Sequence, residues 1–335
     1  MLKFAFAGFG HAHINSLYEK VTQTEDLEIA GACEQDAELR ATTESAGIQV
    51  DHTSLESLLD VSCDVVAIGA PFGDRGQIAI EALKRGKHVI ADKPLCTRRA
   101  ELEEIERLSQ ENGCRVGCML TSRGSKTSAG IRHLIQSGAL GKLHAITFGG
   151  QHPLNLDTRP SWYFEPGRHG GTITDIFIHT ADSIPWMTGL AYDRVVAARC
   201  WNALAPQYPH FEDGAQLMVT LENGCGVMGD VSYFMPTKGG YTLPYYWRMT
   251  YFGSEGIAET TSASNTIDVT VDGEVVARPP EGPEPEGYFK GFLDDISGNA
   301  TDESLTTKDV LDATRIAISV QEAADNHLYD VPLKP

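Results

Sequence analysis

The stretch Leu2-Lys3-Phe4-Ala5-Phe6-Ala7-Gly8-Phe9-Gly10 is an apolar run of strand length that ends in a Gly-x-Gly turn. The residues after it, 14–22, have the apolar spacing of an α-helix. Four more apolar runs follow in the first third of the chain, separated by helical patterns, at residues 27–33, 64–70, 87–91 and 115–120. Because strands and helices alternate, we predict an α/β fold with a doubly wound parallel sheet.

The pattern changes after residues 130–137, a further predicted helix. Longer strand-like runs then follow one another at residues 143–148, 194–201, 216–221, 226–234, 248–252 and 266–271. Such consecutive strands predict a largely antiparallel sheet, and the turn signals Glu222-Asn223-Gly224 and Asp272-Gly273, both in hairpin positions, support it. We therefore predict two domains, over residues 1–122 and 123–335.

The composition is that of a globular protein, since 41% of the 335 residues are hydrophobic and 22% are charged. With 27 Lys and Arg against 46 Asp and Glu, the net charge is −19, which repels phosphate backbones and anionic lipid surfaces. We therefore predict a small-molecule ligand, and neither nucleic acid nor membrane as a partner. Seven scattered cysteines without a Cys-x-x-Cys pair, and no signal or membrane-spanning segment, predict the reducing cytoplasm.

The Gly-x-Gly turn predicts a dinucleotide site. Without side chains at Gly8 and Gly10, the backbone around Phe9 and the following helix N-terminus can approach a pyrophosphate. The signal is incomplete, because His13 stands where the full fingerprint has a third glycine. Glu34 ends the second predicted strand, where a carboxylate accepts hydrogen bonds from the adenosine ribose and repels a 2′-phosphate. We therefore predict NAD rather than NADP as the cofactor.

His11 and His13 form a His-x-His pair at the start of the first predicted helix. Two imidazoles can ligate a metal ion, but no third ligand at a suggestive spacing accompanies them. We therefore predict that both histidines pack at the helix start beside the cofactor, and that the chain holds no metal.

The run Lys87-His88-Val89-Ile90-Ala91-Asp92-Lys93-Pro94 places an amine at the carboxyl end of a predicted strand. Ligands of open parallel sheets bind beyond these strand ends, and a proline biases the preceding residue toward extended backbone. The motif therefore predicts that Lys93 is held beside a ligand. On this motif alone, a solvated turn remains the alternative.

The segment Gly170-Gly171-Thr172-Ile173-Thr174-Asp175-Ile176-Phe177-Ile178-His179 puts a carboxylate and an imidazole four residues apart, on one face of a helix. An imidazole exchanges protons near neutral pH, and a neighbouring carboxylate stabilises its charged form. The pair therefore predicts general acid–base chemistry. Two alternatives remain: Thr172 and Asp175 form a capping box, and His179 is a core histidine.

In combination, these motifs resemble the family of NAD(P)-dependent oxidoreductases that includes glucose-fructose oxidoreductase, inositol dehydrogenase and the rhizopine-catabolism protein (the Gfo/Idh/MocA family). The resemblance runs nearly end to end. It is carried by Ala5-Phe6-Ala7-Gly8-Phe9-Gly10, by Asp64-Val65-Val66-Ala67-Ile68 leading to Pro71, by the Asp92-Lys93-Pro94 motif, by Gly138-x-x-Gly141 and by Gly170-Gly171-x-x-x-Asp175-x-x-x-His179.

The resemblance implies a Rossmann domain over residues 1–122 and a substrate-binding and oligomerisation domain over residues 123–335, whose open sheet pairs subunits into a homodimer or homotetramer. It implies that Lys93, Asp175 and His179 are catalytic and meet at the nicotinamide. Predicted cofactor contacts are Gly8, Phe9, Gly10, His11, His13, Glu34, Ala70, Pro71, Arg75, Asp92 and Lys93. Predicted substrate contacts are Lys93, Arg123, Trp162, Asp175 and His179.

The chain departs from the family pattern at three positions. Asp92 stands where the family usually has Glu, Arg75 replaces a histidine, and Phe72 replaces an amide. Arg75 has two interpretations: it binds a substrate carboxylate bidentately, or it is a solvated arginine at the start of a surface helix.

The resemblance implies hydride transfer between NAD and a carbinol or carbonyl carbon of a sugar, polyol, cyclitol or sugar acid. His179 exchanges the hydroxyl proton and Lys93 stabilises the developing oxyanion, or the two roles are exchanged. Two alternatives are an NAD-dependent glycosidase or eliminase that oxidises its sugar transiently, and a non-catalytic sensor of NAD or sugar. Several aromatic residues offer faces for a sugar ring: Trp162, Tyr163, Phe164, Trp186, Tyr245, Tyr246 and Trp247.

Overall fold

The computed structural model describes residues 1–333 and divides the chain into two units. The first unit comprises Met1–Leu120, Gly167–Gly170 and Tyr288–Thr314. The second comprises Thr121–Pro166, Gly171–Gly287 and Arg315–Pro335. The predicted second domain runs to residue 335, and its last two residues, 334 and 335, lie outside the described part.

The first unit is built on a five-stranded parallel sheet of order β2-β1-β3-β4-β5. Its strands are β1 (Leu2–Ala7), β2 (Leu27–Cys33), β3 (Val65–Ile68), β4 (His88–Ala91) and β5 (Val116–Cys118). The helices between them are α1 (His13–Gln23), α2 (Ala37–Ser45), α3 (Leu55–Leu59), α4 (Phe72–Lys84) and α5 (Arg99–Asn112). The predicted doubly wound fold is confirmed.

The apolar runs become strands of this sheet because both of its faces are covered. All four residues of β3 and the last four of β1 are buried, as expected for a parallel sheet between helices. The carboxyl ends of β1, β3 and β4 therefore lie side by side, because these strands are parallel neighbours. The loops that follow these three strands carry most of the predicted site residues of this unit.

The second unit contains a nine-stranded sheet of order β13-β12-β11-β10-β6-β9-β8-β7-β14. The pair β6 and β9 is parallel and the other pairs are antiparallel, which confirms the predicted mostly antiparallel sheet. The helices are α6 (Lys126–Gln136) and α7 (Ile178–Thr188). The strands are β6 (Leu143–Gly150), β7 (Tyr192–Trp201), β8 (Gly214–Leu221), β9 (Gly226–Asp230), β10 (Tyr246–Gly253), β11 (Ile257–Thr260), β12 (Ile267–Val271), β13 (Glu274–Arg278) and β14 (Val331–Pro332).

Three of these strands were not predicted: β11, β13 and β14. β13 is an edge strand, and all five of its residues are exposed, so it lacks the apolar alternation by which strands are predicted. β11 has four residues and β14 two, which is too short for a periodic signal. These strands are specified by pairing with neighbours and not by their own pattern.

The first unit also contains a late segment of the chain, 288–314, which the predicted boundary after residue 122 assigned to the other domain. It holds most of α8 (Gly287–Ser297) and the first turns of α9 (Thr307–Asp325). Phe292 packs on Gly117 of β5, where a Cβ atom would lie 2.7 Å from the Phe292 ring. The hydroxyl of Thr307 accepts a hydrogen bond from the Val116 amide at 3.0 Å. The pattern of an amphipathic helix does not show which sheet the helix packs on. The sequence therefore could not predict that residues 288–314 belong to the first unit.

Two findings bear on the predictions made from composition. Within residues 1–333, the seven cysteines form no disulfide. In the same part of the chain, no helix is long and apolar enough to cross a membrane.

Candidate active site

The Gly-x-Gly turn of the first unit packs tightly against the residues that follow β3. Gly8 has φ of +83°, and a Cβ atom there would lie 2.9 Å from the Ala70 Cα. A Cβ atom on Gly10 would lie 2.8 Å from the Pro71 ring. The helix after the turn, α1, begins without a side-chain cap, and such an N-terminus presents backbone N–H groups that suit a phosphate. The turn therefore fits a dinucleotide pyrophosphate.

Glu34 follows β2 and is 7% exposed. Its carboxylate accepts hydrogen bonds from the backbone N–H of Phe9 at 2.7 Å and of Asp36 at 3.0 Å. The predicted ribose partner thus also holds the glycine turn against the end of β2, a role for which the sequence carried no signal. A carboxylate offers about four acceptor sites, so Glu34 retains capacity for a ribose hydroxyl.

Asp92 follows β4 and its side chain is completely buried. Its Oδ2 atom lies 2.5 Å from Nδ1 of His11, and its Oδ1 atom accepts a hydrogen bond from the Lys93 backbone at 2.7 Å. Burial works to raise the pKa of Asp92, but His11 and Arg75 outweigh it and hold that pKa well below its usual range. Asp92 is therefore a carboxylate at neutral pH.

His11 is the neutral partner of this carboxylate. Burial lowers the pKa of His11 to about 4, and the opposing attraction of Asp92 is smaller. Because Asp92 accepts at Nδ1, the proton of the neutral ring resides on that nitrogen. His11 thus lies near the start of α1 and also binds Asp92, the residue that follows β4.

A third potential metal ligand does accompany His11 and His13, contrary to the sequence interpretation. The ligand atoms of His11, His13 and Asp92 lie within 4.8 Å of one another. Sequence spacing could not show this, because Asp92 lies on another strand. The Asp92 oxygens, however, already accept from His11, from the Lys93 backbone and from the Arg75 guanidinium. These donors supply the neutralisation that a cation would supply, and we assign no metal to the cluster.

Arg75 is 0% exposed, so it is neither solvated nor placed to bind a substrate carboxylate as the sequence interpretations had it. Helix α4 begins at Phe72, which puts Arg75 in its first turn. The guanidinium donates to the carbonyl oxygens of Ala70 at 2.7 Å, Asp92 at 2.7 Å and Lys93 at 2.5 Å. Its Nη2 atom also lies 3.3 Å from the Asp92 carboxylate. Arg75 therefore ties the loop after β3 to the loop after β4.

Lys93 is 4% exposed, which rules out the solvated turn. Its Nζ atom lies 5.6 Å from the centre of the Phe72 ring, and the Arg75 guanidinium lies 4.6 Å from the same ring. Phe72, which replaces the family's amide, thus faces two cations. The Lys93–Pro94 peptide bond is cis. Lys93 is held by its backbone contacts with Asp92 and Arg75.

In the second unit, Asp175 lies in a single π-helical turn, Ile173–Phe177, directly before α7. The sequence predicted a regular α-helix here. Its carboxylate accepts a very short hydrogen bond from the hydroxyl of Tyr233. Burial raises the pKa of Tyr233 well above its usual range, and Asp175 raises it further, so this tyrosine stays protonated. Tyr233 was missed because no local pattern connects it with Asp175.

The capping-box alternative for Thr172 and Asp175 is wrong. The Thr172 side chain does not cap the π turn, because its hydroxyl donates to the carbonyl oxygen of Glu212. Gln321 supplies the cap instead, since its Oε1 atom accepts from the backbone N–H of Ile173 at 2.9 Å and of Thr174 at 3.3 Å.

The amide nitrogen of Gln321 donates to a second cluster of potential metal ligands. The ligand atoms of Cys200, Glu212 and Asp325 lie within 4.8 Å of one another. The Gln321 nitrogen lies 3.5 Å from the Cys200 sulfur and 2.7 Å from the Asp325 carboxylate. The Gln321 amide therefore already donates to two of the three groups, Cys200 and Asp325, and we assign no metal here.

His179 lines a cavity of about 640 Å³ within the second unit. Hydroxyl side chains from residues 121–128 and 260–264, together with Thr180 and Ser183, form much of its wall. The ring of Trp247 stands edge-on to the imidazole, with 5.5 Å between ring centres. His179 is therefore a histidine beside a polar cavity, and not a histidine enclosed in an apolar core.

The two other predicted substrate contacts do not line this cavity. Arg123 is 5% exposed and forms an ion pair with Asp182, with Nη2 and Oδ1 2.6 Å apart. Trp162 is buried, and its ring packs on Tyr163 with 4.2 Å between ring centres. Convergence of Lys93 with Asp175 and His179 stays a prediction.

We expect Arg75→Met to lower the free energy of unfolding by about 3–5 kcal/mol, because it leaves the buried Asp92 carboxylate without its guanidinium partner. Urea denaturation measures the loss. Arg85→Met is the matched control, since Arg85 forms a half-exposed ion pair with Glu81 at the other end of α4 and such pairs contribute about 0–1 kcal/mol. The double variant Arg75→Met, Asp92→Asn should regain part of the loss. Equal stability of the two arginine variants contradicts the assignment.

A second prediction concerns pH. The pKa of His11 falls from 6.5 to about 4 on folding, so between these pH values the unfolded chain binds a proton that the folded chain does not. His11 therefore makes the wild type lose stability as the pH falls from 6.5 to 4, and His11→Gln should flatten this part of the profile. Urea midpoints at a series of pH values measure it, and parallel profiles for the two proteins contradict the prediction.

Two family models match the chain. One, described as an oxidoreductase family with an NAD-binding Rossmann fold, matches residues 2–119. The other, described as the GFO/IDH/MocA C-terminal domain, matches residues 129–259.

Individual proteins agree with these models. The uncharacterized oxidoreductase YfiI of Bacillus subtilis is 28% identical over 225 residues, which cover 63% of this chain and 55% of that protein. The matched region thus spans little more than half the length of that relative. Inositol 2-dehydrogenase of Salmonella typhimurium is 22% identical, with 100% of this chain and 98% of that protein covered. A solved structure from Erwinia carotovora atroseptica is 27% identical, with a TM-score of 0.85 and with 97% of this chain and 99% of that chain covered.

These matches confirm the predicted family and the NAD-binding domain. The chain belongs to the Gfo/Idh/MocA family of oxidoreductases, with its NAD-binding Rossmann fold in residues 2–119.

Proposed function

We propose that this chain is an NAD-dependent oxidoreductase that transfers a hydride between the nicotinamide and a carbinol or carbonyl carbon of a sugar, polyol, cyclitol or sugar acid. The observation that carries the proposal is the cavity of the second unit, in which His179 faces a wall of hydroxyl side chains. A proton-exchanging group among many hydroxyl donors and acceptors suits a polyhydroxylated substrate. The match to inositol 2-dehydrogenase supports the same class.

Each catalytic residue has a role that its surroundings support. His179 exchanges the proton of the substrate hydroxyl, because its imidazole faces the cavity. Lys93 stabilises the negative charge that develops on the substrate oxygen, since its backbone is held at the carboxyl end of β4 by Asp92 and Arg75 and the side chain starts from this fixed point. The glycine turn and Glu34 would hold the cofactor, which would supply a hydride acceptor as NAD+ or a hydride donor as NADH. This function requires Lys93 and His179 to reach the same substrate carbinol group.

Asp175 acts as a positioning residue in this proposal. Its carboxylate is 2% exposed and is fixed by the Tyr233 hydroxyl. Because Asp175 lies in the turn that leads into α7, its carboxyl group stands at the N-terminal end of the helix that carries His179. A carboxylate at this place favours the protonated imidazole that forms when His179 takes the substrate proton.

The same proposal includes a preference for NAD over NADP. The Glu34 carboxylate stays beside the glycine turn, where a negative charge repels the 2′-phosphate of NADP. A fluorescence titration should therefore show tighter binding of NADH than of NADPH. Glu34→Gln, which keeps an acceptor for the Phe9 amide, should reduce the difference. Equal or tighter NADPH binding by the wild type contradicts the preference.

Two further features of the proposal concern the protein in the cell. The absence of disulfides within residues 1–333 fits the reducing cytoplasm. We also propose a homodimer or homotetramer that pairs through the outer face of the nine-stranded sheet. That face carries a second cavity, of about 820 Å³, and exposed apolar side chains that include Met218, Met228 and Tyr245, and exposed apolar patches mark association surfaces.

The experiment is a screen of polyols, cyclitols, aldoses and sugar acids that follows NADH absorbance and, in parallel, cleavage of the corresponding glycosides. We expect NADH formation with at least one substrate. Lys93→Ala and His179→Ala should each lower kcat by about 10²–10⁴-fold while the Kd for NADH changes little. Lys84→Ala, which removes a half-exposed lysine of α4, is the control.

Each other outcome contradicts the proposal in a different way. Glycoside cleavage without net NADH identifies a glycosidase or eliminase. NADH binding without turnover of any substrate identifies a sensor. Full activity of both alanine variants removes Lys93 and His179 from the mechanism.

A further inference from the structure

Trp247 lies at an irregular point of strand β10. Its neighbours Tyr246 and Arg248 pair with Gly150 and Gly149 of β6, so Trp247 is an extra residue between two consecutive partners. This is the arrangement of a β-bulge, which re-aims a side chain. Trp247 has φ of +49°, a backbone conformation that bulky residues rarely adopt. Such positions cluster at binding and catalytic sites.

The bulge places the indole beside His179. Trp247 lines the cavity of about 640 Å³ in the second unit, and its ring meets the imidazole at an interplanar angle of 79°. The neighbouring inward residues of the strand, Met249 and Tyr251, are buried. Trp247 is only partly buried, so part of its indole remains available to a ligand.

A glycine on the paired strand makes room for this position. A Cβ atom on Gly150 would lie 3.0 Å from Cη2 and Cζ3 of Trp247, and 3.0 Å from a methyl group of Ile176. Any larger residue at position 150 would therefore push on the indole. The glycine of β6 and the bulge of β10 together hold one aromatic side chain at the cavity.

The cavity combines this aromatic side chain with polar walls. Hydroxyl groups line it from several segments, and the amide of Asn265 joins them. Within residues 1–333, no arginine, aspartate or glutamate lines it. Its one lysine, Lys126, forms an ion pair with Glu284 at 2.7 Å. A flat apolar surface beside hydroxyl groups suits a ring that has C–H bonds on its face and hydroxyls at its rim.

The other aromatic candidates are placed differently. Trp162, Tyr163 and Trp186 are buried, and Tyr245 lines the separate cavity on the outer face of the sheet. Tyr246 lines the same cavity as Trp247, but its ring packs against His152 and Tyr241. The Trp247 ring, by contrast, meets the imidazole of His179.

We propose that Trp247 is the platform on which the substrate ring stacks, and that it selects uncharged cyclic polyols and aldoses over sugar acids. This inference rests on the proposed function and narrows it. The indole fixes the plane of the ring, the hydroxyl wall binds its rim, and the ring is thereby oriented with a carbinol group toward His179. Because no unpaired guanidinium lines the described cavity, a carboxylate substituent gains no bidentate partner there.

The test compares Trp247→Phe and Trp247→Ala with Phe252→Ala. Phe252 is a matched control, because it is an aromatic residue of the same strand that is 36% exposed and does not line this cavity. The probes are myo-inositol, D-glucose and D-gluconate. Isothermal titration calorimetry of the NADH-bound protein measures their binding without turnover, and steady-state kinetics measure KM and kcat separately.

We expect the wild type to bind a neutral probe more tightly than D-gluconate. Trp247→Ala should weaken that binding on the order of tenfold and raise KM similarly, with a smaller change in kcat. Trp247→Phe, which keeps an aromatic face, should retain most of the affinity. Phe252→Ala should stay within about twofold of the wild type. Circular dichroism checks that each variant is folded. If the alanine variant is not, Trp247→Leu, which keeps an apolar side chain without an aromatic face, serves as the test with the same expected loss of affinity.

Failure of this inference differs from failure of the proposed function. If the wild type oxidises a probe and the variant without an aromatic face at position 247 has the same KM and affinities as Phe252→Ala, the platform is wrong and the oxidoreductase proposal stands. Tighter binding of D-gluconate than of both neutral probes overturns the selectivity, as does the absence of binding by all three. A lack of NADH formation with every substrate contradicts the proposed function, while calorimetry still reports on the platform.

Discussion

The buried carboxylate of Asp92 is the constraint on which the NAD-binding unit depends. It joins three loops at the carboxyl ends of neighbouring strands: the glycine turn after β1 through His11, the start of α4 after β3 through Arg75, and the end of β4 through the Lys93 backbone. A buried charge is tolerated when it is paired and fully hydrogen-bonded. The groups that hydrogen-bond to Asp92 therefore also fix the position of the Lys93 backbone. A change in the conformation of any one of the three loops would disturb the hydrogen bonds of the other two.

Much of the fold could be predicted from the sequence, because the five strands of the first sheet are apolar runs of the right length between helical patterns. The contacts between residues that are distant in the chain could not be predicted from it. Arg75 looked like a solvated arginine, and only the fold shows that three carbonyl groups and a carboxylate surround it. The edge strand β13 and the packing of Phe292 on Gly117 depend in the same way on tertiary neighbours.

The candidate site shows the same difference between what sequence motifs predict and what only tertiary contacts reveal. Lys93, Asp175 and His179 were predicted from their residue types and from the order of their motifs, which resembles that of the family. The partner of Asp175, Tyr233, lies 58 residues away in the chain, and the cavity wall beside His179 comes from several segments. Sequence spacing carries no information on such contacts. The aromatic residues illustrate this, since Trp162 is buried whereas Trp247 meets His179.

The most direct test of this account is the affinity of Asp92→Asn for NADH, measured by calorimetry beside Asp74→Asn, which removes a half-exposed charge from α4. The amide keeps the size of the side chain but removes the negative charge of Asp92, which is the partner of His11, Arg75 and the Lys93 backbone. The account predicts that Asp92→Asn weakens NADH binding on the order of tenfold or more and that Asp74→Asn has little effect. An Asp92→Asn protein that is folded and binds NADH as tightly as the wild type would contradict it.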